Sequence, residues 1–343
     1  MNQRGTHRSE TSREVAFLRD PRSYPKFTER VDVVETHKSW VFLTNQYAYK
    51  LKKPIRYHSV DFRSLSTRCA NCETEVRLNR RLAHDVYLGV EHLTTGEGND
   101  FVIGGAGTLV DCLVKMKRLP ADRMLSSLIE NDCVEDSEIR KVARKLARFY
   151  RDAAAAIHDF DSYERHLNAE IARNQPALTL SGRGLEDYPV LNLLDLQRRF
   201  LREHKDQFRS RVEGGKIVEG HGDLRPEHIC VLPEPVMFDC LEFNVQLRNV
   251  DPIDELAFLS LECERLGDPS IGPILFEVYE DVTGDDAPDE LISFYSVYRA
   301  CIWARLAILR TRELEPADWH KWVVRAGAYL DIAEQHQAAL VAR

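Results

Sequence analysis

One stretch limits the folds open to this chain more than any other. It reads Glu219-Gly220-His221-Gly222-Asp223-Leu224-Arg225-Pro226-Glu227-His228, and a second aspartate follows where an apolar run closes at Met237-Phe238-Asp239. Between the two aspartates, residues 229–241 read as two short apolar strands around the turn Pro233-Glu234-Pro235. Asp223, in a polar loop two residues after a histidine, suits a proton acceptor. Asp239, at a strand end, suits a ligand for a hard cation. A chain carrying both needs a scaffold that holds a loop and a strand end in place.

The flanking sequence says which scaffold. Residues 31–36, 40–44 and 47–52 form a strand series rich in β-branched and aromatic residues, ended by Lys52-Lys53-Pro54. Residues 66–84 predict a helix, with Cys72, Val76, Asn79 and Ala83 on one face and Glu75 beside them. Phe101-Val102-Ile103 and Thr108-Leu109-Val110 flank Gly104-Gly105-Ala106-Gly107 and predict a hairpin, from which residues 114–120 continue as a strand to Pro120. From about residue 121 the pattern turns helical. Helices are predicted over 136–158 and 189–212, and over 252–343 apart from an acidic loop at 284–289. Strands first and helices after give an α+β layout in two lobes. The expected boundaries are a disordered start over 1–15, a sheet lobe over 16–115, a linker at 116–120 and a helical lobe over 121–343.

Composition narrows the function classes. The net charge of −8 argues against a nucleic-acid partner and leaves a small-molecule substrate as the expectation. No apolar run approaches the ~20 residues that span a bilayer, so no membrane partner is expected. The polar N-terminus lacks the apolar stretch of a signal peptide, which predicts a cytoplasmic protein. Eight cysteines, at 69, 72, 112, 133, 230, 240, 263 and 301, are then expected as free thiols. Cys69 and Cys72 have no second pair at zinc spacing, and Cys72 suits the apolar face of its helix.

Single residues carry the chemistry. An acidic side chain on the apolar face of a helix is costly unless paired, so Glu75 calls for a partner, and Lys50 on the third strand is the candidate. Glu73, on the more polar side, is the alternative. Arg225, two residues after Asp223, offers a forked donor for phosphate, or is a surface arginine. Asp251-Pro252 reads as a helix cap with proline in the first turn, near Arg248. Asp254 fits a buried aspartate that braces the Asp223 loop.

Together these residues resemble the aminoglycoside phosphotransferase-like branch of the protein-kinase-like fold, and in particular a bacterial group often fused to a C-terminal P-loop ATP-binding domain. The resemblance rests on Glu35 to Leu43, Tyr49 to Pro54, Leu78 to Leu82, Val114 to Pro120, His221 to Leu224 and Phe238 to Asn244, spanning about 35 to 260. Kinase catalytic loops follow H-x-D-L-x-x-x-N, and His221, Asp223 and Leu224 stand in register. Ala48-Tyr49-Lys50 matches the A-x-K of the strand lysine that grips the α- and β-phosphates.

The resemblance implies a small antiparallel-sheet N-lobe, a larger mostly helical C-lobe, and ATP with Mg²⁺ or Mn²⁺ as cofactors. It implies Asp223 as base and Asp239 as metal ligand; Glu242, three residues on, is the candidate for a further carboxylate. Met116, Lys117 and Leu119 fall in the segment beside adenine. Thr36, Lys38 and Ser39 stand in the phosphate-covering loop, which here has no glycine. No G-x-x-x-x-G-K-[ST] occurs, so the P-loop domain is expected to be absent. His228 occupies the position of the metal-binding asparagine, and imidazole suits Mg²⁺ poorly. The leading expectation is an ATP-dependent phosphotransferase acting on a small-molecule hydroxyl or amine. A pseudokinase that binds nucleotide is the competing class. A kinase fold transferring AMP is the third.

Overall fold

The computed structural model describes residues 13–57, 60–96, 98, 100–286 and 288–341. Two compact units emerge. One comprises Met1–Ala121 with Val236–Asn244, and the other Asp122–Pro235 with Val245–Arg343. The expected boundaries left 236–244 with the helices, whereas the structure groups that segment with the sheet. Most of the expected disordered start lies outside the described residues; residues 13–15 open a helix, α1, over 13–19.

The first unit is built on six antiparallel strands. In chain order they are β1 (Asp32–Glu35), β2 (Ser39–Leu43) and β3 (Tyr47–Lys52), then, after the two-residue pair β4 (Arg56–Tyr57) and β5 (Val60–Asp61) and helix α2 (Leu65–Asn79), β6 (Tyr87–Thr95), β7 (Phe101–Ile103) and β8 (Thr108–Lys117). The sheet order is β1-β2-β3-β8-β6-β7. Side-chain alternation divides the core in two. Ala48, Val114 and Met116 pack with Cys72 and Val76 of α2. Tyr49, Leu51 and Leu113 pack on the opposite face with Leu18 and Tyr24. Ser64 caps α2 by accepting from the Thr67 amide at 3.1 Å.

The helix expected over 66–84 ends at Asn79, and two pairing expectations also fail in this unit. The predicted hairpin of 101–103 with 108–110 does not form. β7 pairs instead with β6, Leu93 opposite Ile103, and β8 runs unbroken along the other side of β6. The glycine-rich turn serves that arrangement, because a Cβ on Gly107 would fall 1.6 Å from the Thr95 carbonyl oxygen. The second failure is the free thiols. Cys69 of α2 is bonded to Cys112 of β8, and the remaining six cysteines are free. Beside the disulfide, the buried Arg68 guanidinium holds Asp111 at 2.7 Å. α2 is therefore fastened to β8 by a covalent bond and an ion pair on consecutive residues.

The second unit is helical: α3 (Leu125–Glu130), α4 (Asp136–Asp152), α5 (Phe160–Leu178), α6 (Val190–Glu203), α7 (Lys205–Glu213), α8 (Pro252–Leu266), α9 (Ile271–Thr283), α10 (Asp289–Arg310) and α11 (His320–Val341). The helix expected over 136–158 stops at Asp152, where Ala153 turns extended. The one expected over 189–212 is two, meeting at His204. Four two-residue strands complete the chain: β9 (Val218–Glu219), β10 (Ile229–Cys230), β11 (Val236–Met237) and β12 (Asn249–Val250), with β9 and β12 antiparallel. Against expectation, Asp289–Glu313 is long and apolar enough to cross a membrane; 72% of its most apolar window is buried, as in a core helix.

The disulfide closes a 43-residue separation, which removes about 4 kcal/mol of chain entropy from the unfolded state. Thiol titration of the unreduced, denatured protein is expected to count six thiols, and eight after reduction. A count of eight before reduction contradicts the cross-link.

Candidate active site

Strand alternation decides which lysines of β3 meet α2. Lys50 and Lys52 are two residues apart, so both point to the α2 face. Lys50 Nζ donates to Glu75 Oε1 at 2.9 Å and to Asp239 Oδ1 at 2.6 Å. Lys52 Nζ donates to Glu75 Oε2 and to Glu242 Oε1, the latter at 2.7 Å. Glu75 is wholly buried, and each of its oxygens is taken by one lysine. Glu73, the alternative partner, is exposed. Burial opposes the charge on Lys50, but Asp239, Glu75 and Glu242 outweigh it and raise its pKa well above the ordinary lysine range. Burial likewise opposes ionisation of Glu242, and Lys52 and Lys50 overcome it, lowering that carboxyl's pKa. In the sequence Lys52 only ends the third strand and carries no assigned role. Its two-residue offset from Lys50 was the signal that placed it inside.

Asp239 sits in the left-handed backbone region, at φ 59°, which is rare for a residue with a side chain. Neighbours hold it there. The Asp239 amide donates to the Tyr87 hydroxyl at 3.1 Å, and the Cys240 amide to Asn79 Oδ1 at 2.8 Å. A strained, over-determined aspartate is the kind of outlier that marks working sites.

The other candidates of this unit have these contacts. Thr36 Oγ1 accepts from the Ser39 amide at 3.0 Å and donates to its carbonyl, so it closes the β1–β2 turn. Ser39 is buried. Lys38 Nζ lies 3.2 Å over the Phe243 ring. Met116 and Lys117 belong to β8, opposite Ala48 and Tyr47, and not to a separate linker. Leu119 packs against the same core as Met116.

In the second unit the loop from 220 to 228 hangs on one glutamate. Glu255 accepts from the His221 amide at 3.0 Å, the Gly222 amide at 2.6 Å and the Tyr150 hydroxyl at 2.7 Å. Gly220 lets the chain pass this close, since a Cβ there would lie 2.7 Å from Glu255 Oε2 and 2.6 Å from Val250. Gly222 turns the chain with φ 85°. This corrects the expectation for Asp254, which pairs with Arg299 through two 2.6 Å hydrogen bonds; its neighbour Glu255 is the brace. Asp251 caps α8 by accepting from the Ile253 amide at 3.0 Å and also takes Arg211. Asp223 keeps a quarter of its side chain exposed, with His228 Nδ1 at 3.7 Å and Arg225 Nε at 3.9 Å from its carboxylate. His228 Nδ1 is 2.8 Å from the Asp223 carbonyl oxygen. Arg225 is mostly buried, its guanidinium 5.1 Å from the Trp303 ring centre, so it is not a surface arginine.

No protein-family model matches the chain. Two curated relatives, Uncharacterized protein Rv2004c of Mycobacterium tuberculosis and Uncharacterized protein Mb2027c of Mycobacterium bovis, are each 31% identical over 314 residues. The match covers 89% of this chain, which spans 59% of the length of those relatives. Among solved structures, the GDP and kanamycin complex of APH(2")-IIia superposes with a TM-score of 0.53 at 15% identity, covering 95% of this chain and 98% of that one. A choline/ethanolamine kinase family protein from Mesorhizobium loti gives 0.53 at 14% identity, over 97% and 100%. A choline kinase from Cryptosporidium parvum gives 0.52 at 9%, over 94% and 95%. The fold is the protein-kinase-like fold of the aminoglycoside phosphotransferases.

Within this kinase-like fold the fit of a metal can be judged residue by residue. Mg²⁺ takes one or two carboxylates and completes its shell with water and phosphate oxygens. Among the described residues no three His, Cys, Asp or Glu side chains gather to hold an ion. Asp239, with 41% of its side chain exposed, fits as a hard oxygen ligand. Glu242 faces Lys52, and His228 turns Nδ1 to its own loop, so neither is presented in the same way.

Removing Glu75 leaves two ammonium groups in the kinase-like sheet unit short of a counter-charge. Glu75→Ala is expected to destabilise the protein by about 3–5 kcal/mol, the usual result of breaking a buried pair. Urea unfolding measures it; a loss below about 1 kcal/mol, the scale of an exposed pair, contradicts the shared role.

Proposed function

We propose that this chain is an ATP-dependent phosphotransferase acting on a small-molecule hydroxyl or amine. The observation that carries this reading is the buried Lys50–Glu75 pair, joined through Lys50 to the backbone-strained, half-exposed Asp239. Lys50 supplies a fixed positive charge for the α- and β-phosphates. Asp239 would hold Mg²⁺, which when bound neutralises phosphate charge. Asp223 takes the proton of the acceptor hydroxyl as its oxygen bonds to the γ-phosphorus, the β–γ bridging P–O bond breaks and ADP leaves. Glu255 supports that role by fixing the backbone of the Asp223 loop. A fold neighbour solved with GDP supports a nucleotide donor, and neighbours described with kanamycin or as choline kinases support a small acceptor. ATP as donor carries a cytoplasmic location with it, where the Cys69–Cys112 bond has to withstand thiol reductants.

One observation favours a second reading, a nucleotide-binding pseudokinase. His228 stands where the kinase motif has its metal-binding asparagine, and its Nδ1 lies at the Asp223 carbonyl.

ADP release, with panels of small alcohols and amines as acceptors, separates the two. The phosphotransferase reading expects wild-type turnover that EDTA abolishes and that Asp223→Ala lowers by roughly 10²- to 10⁴-fold. Equal turnover by wild type and Asp223→Ala rejects Asp223 as base. ATP binding with no turnover by wild type, and turnover gained by His228→Asn, selects the pseudokinase.

A further inference from the structure

The functional reading uses Lys50, Glu75 and Asp239 and leaves a second lysine beside them without a role. Lys52 is 1% exposed, more buried than Lys50. Exposure rises along the chain of charges, from Lys52 and Glu242, at 1% and 10%, to Lys50 and Asp239, at 12% and 41%. The Lys50–Asp239 end is therefore the more open to water, and the Lys52–Glu242 end the more buried. A cation arriving from solvent meets Asp239. Turning Glu242 to that cation would take its carboxylate from a buried ammonium, which is unfavourable in a buried site.

We propose that Lys52 and Glu242 form a positioning pair for the nucleotide site, fixing the 239–242 segment and the orientation of Glu75, and that Glu242 is not a metal ligand. The inference rests on the reading of Lys50 and Asp239 as nucleotide and metal groups. Several contacts hold the segment, among them Lys50 on Asp239 and Lys38 over Phe243. Tyr87 and Asn79 hold the Asp239 and Cys240 amides through neutral hydrogen bonds, and Lys52 holds the far end through Glu242. Glu75 couples the two lysines, because its oxygens are divided between them. Loss of charge at Lys52 takes from Glu242 its hydrogen-bonded ammonium and frees one oxygen of Glu75, so Lys50 loses the fixed direction of its partner. Loss of charge at Glu242 removes the ion pair that ties the segment to Lys52 and leaves Lys52 with Glu75 alone.

A double-mutant cycle on ATP binding tests this, using Lys52→Met, Glu242→Gln and the double variant, in EDTA and across a Mg²⁺ titration. Each single variant is expected to weaken ATP binding in EDTA roughly 10- to 100-fold, as loss of an outer-shell partner does. The double variant is expected to bind no worse than the weaker single, because the two changes remove one interaction. A merely structural loss would lower the melting temperature without this non-additivity in affinity. Normal ATP binding by Glu242→Gln in EDTA, with only its Mg²⁺ dependence shifted, makes Glu242 a metal ligand and overturns the proposal. Additive losses overturn it too. If a single variant fails to fold by circular dichroism, Lys52→Arg and Glu242→Asp take its place in the cycle, with non-additivity again required. Wild type that binds no ATP removes the functional reading and this inference with it. Wild type that binds while the variants bind equally well removes only the inference.

Discussion

The Glu75 carboxylate, buried in the sheet unit and divided between two ammonium groups, is the interaction on which the rest of that unit's arrangement depends. A lone carboxylate in that position would be prohibitively costly, so β3 has to deliver cations to it, and the alternation of the strand makes Lys50 and Lys52 the two that arrive. Each lysine then carries a second carboxylate, Asp239 or Glu242, and this brings a segment from far along the chain onto the sheet. α2 cannot shift without disturbing the cluster. The Arg68–Asp111 pair and the Cys69–Cys112 bond fix its other end.

The helical unit uses a buried glutamate differently. Among the described residues Glu255 accepts from two backbone amides and a tyrosine hydroxyl. Its position in the first turn of α8 adds the field of the helix N-terminus, which favours a negative charge. Asp251 and Asp254 occupy the same turn, and each is met by an arginine, Arg211 or Arg299. Three acids in one turn thus have three separate tasks: capping the helix, pairing with a neighbouring helix and holding the Asp223 loop. The loop sequence follows from this. Gly220 is needed because a carboxylate sits against the backbone, Gly222 because the chain turns there at φ 85°, and His221 between them is buried.

Much of this was legible from residue order. The three strands up to residue 52 and the loop of His221 and Asp223 ahead of Asp239 appear where the sequence put them, and the helix carrying Glu75 starts where expected but ends at Asn79. What escaped had physical causes. β6 carries Gly89, Glu91 and His92 among its apolar residues, so it gave no clean alternation, and without it Phe101–Ile103 found the wrong partner. Cys69 and Cys112 are 43 residues apart, and no spacing rule pairs such cysteines. Lys52 sits in a Lys-Lys-Pro run that reads as a solvated strand end, although strand alternation alone set it beside Lys50. Asp254 and Glu255 differ by one position on α8, and helical phase read from sequence was not fine enough to choose between them.

The central claim is that the charge cluster around Glu75 is a nucleotide site. Calorimetric titration of ATP into wild type and Lys50→Ala, both verified as folded, tests it most directly. The account requires saturable binding by wild type and a loss of about tenfold or more in Lys50→Ala, the scale of one charge-assisted contact to phosphate. Equal affinity in the two proteins would contradict it.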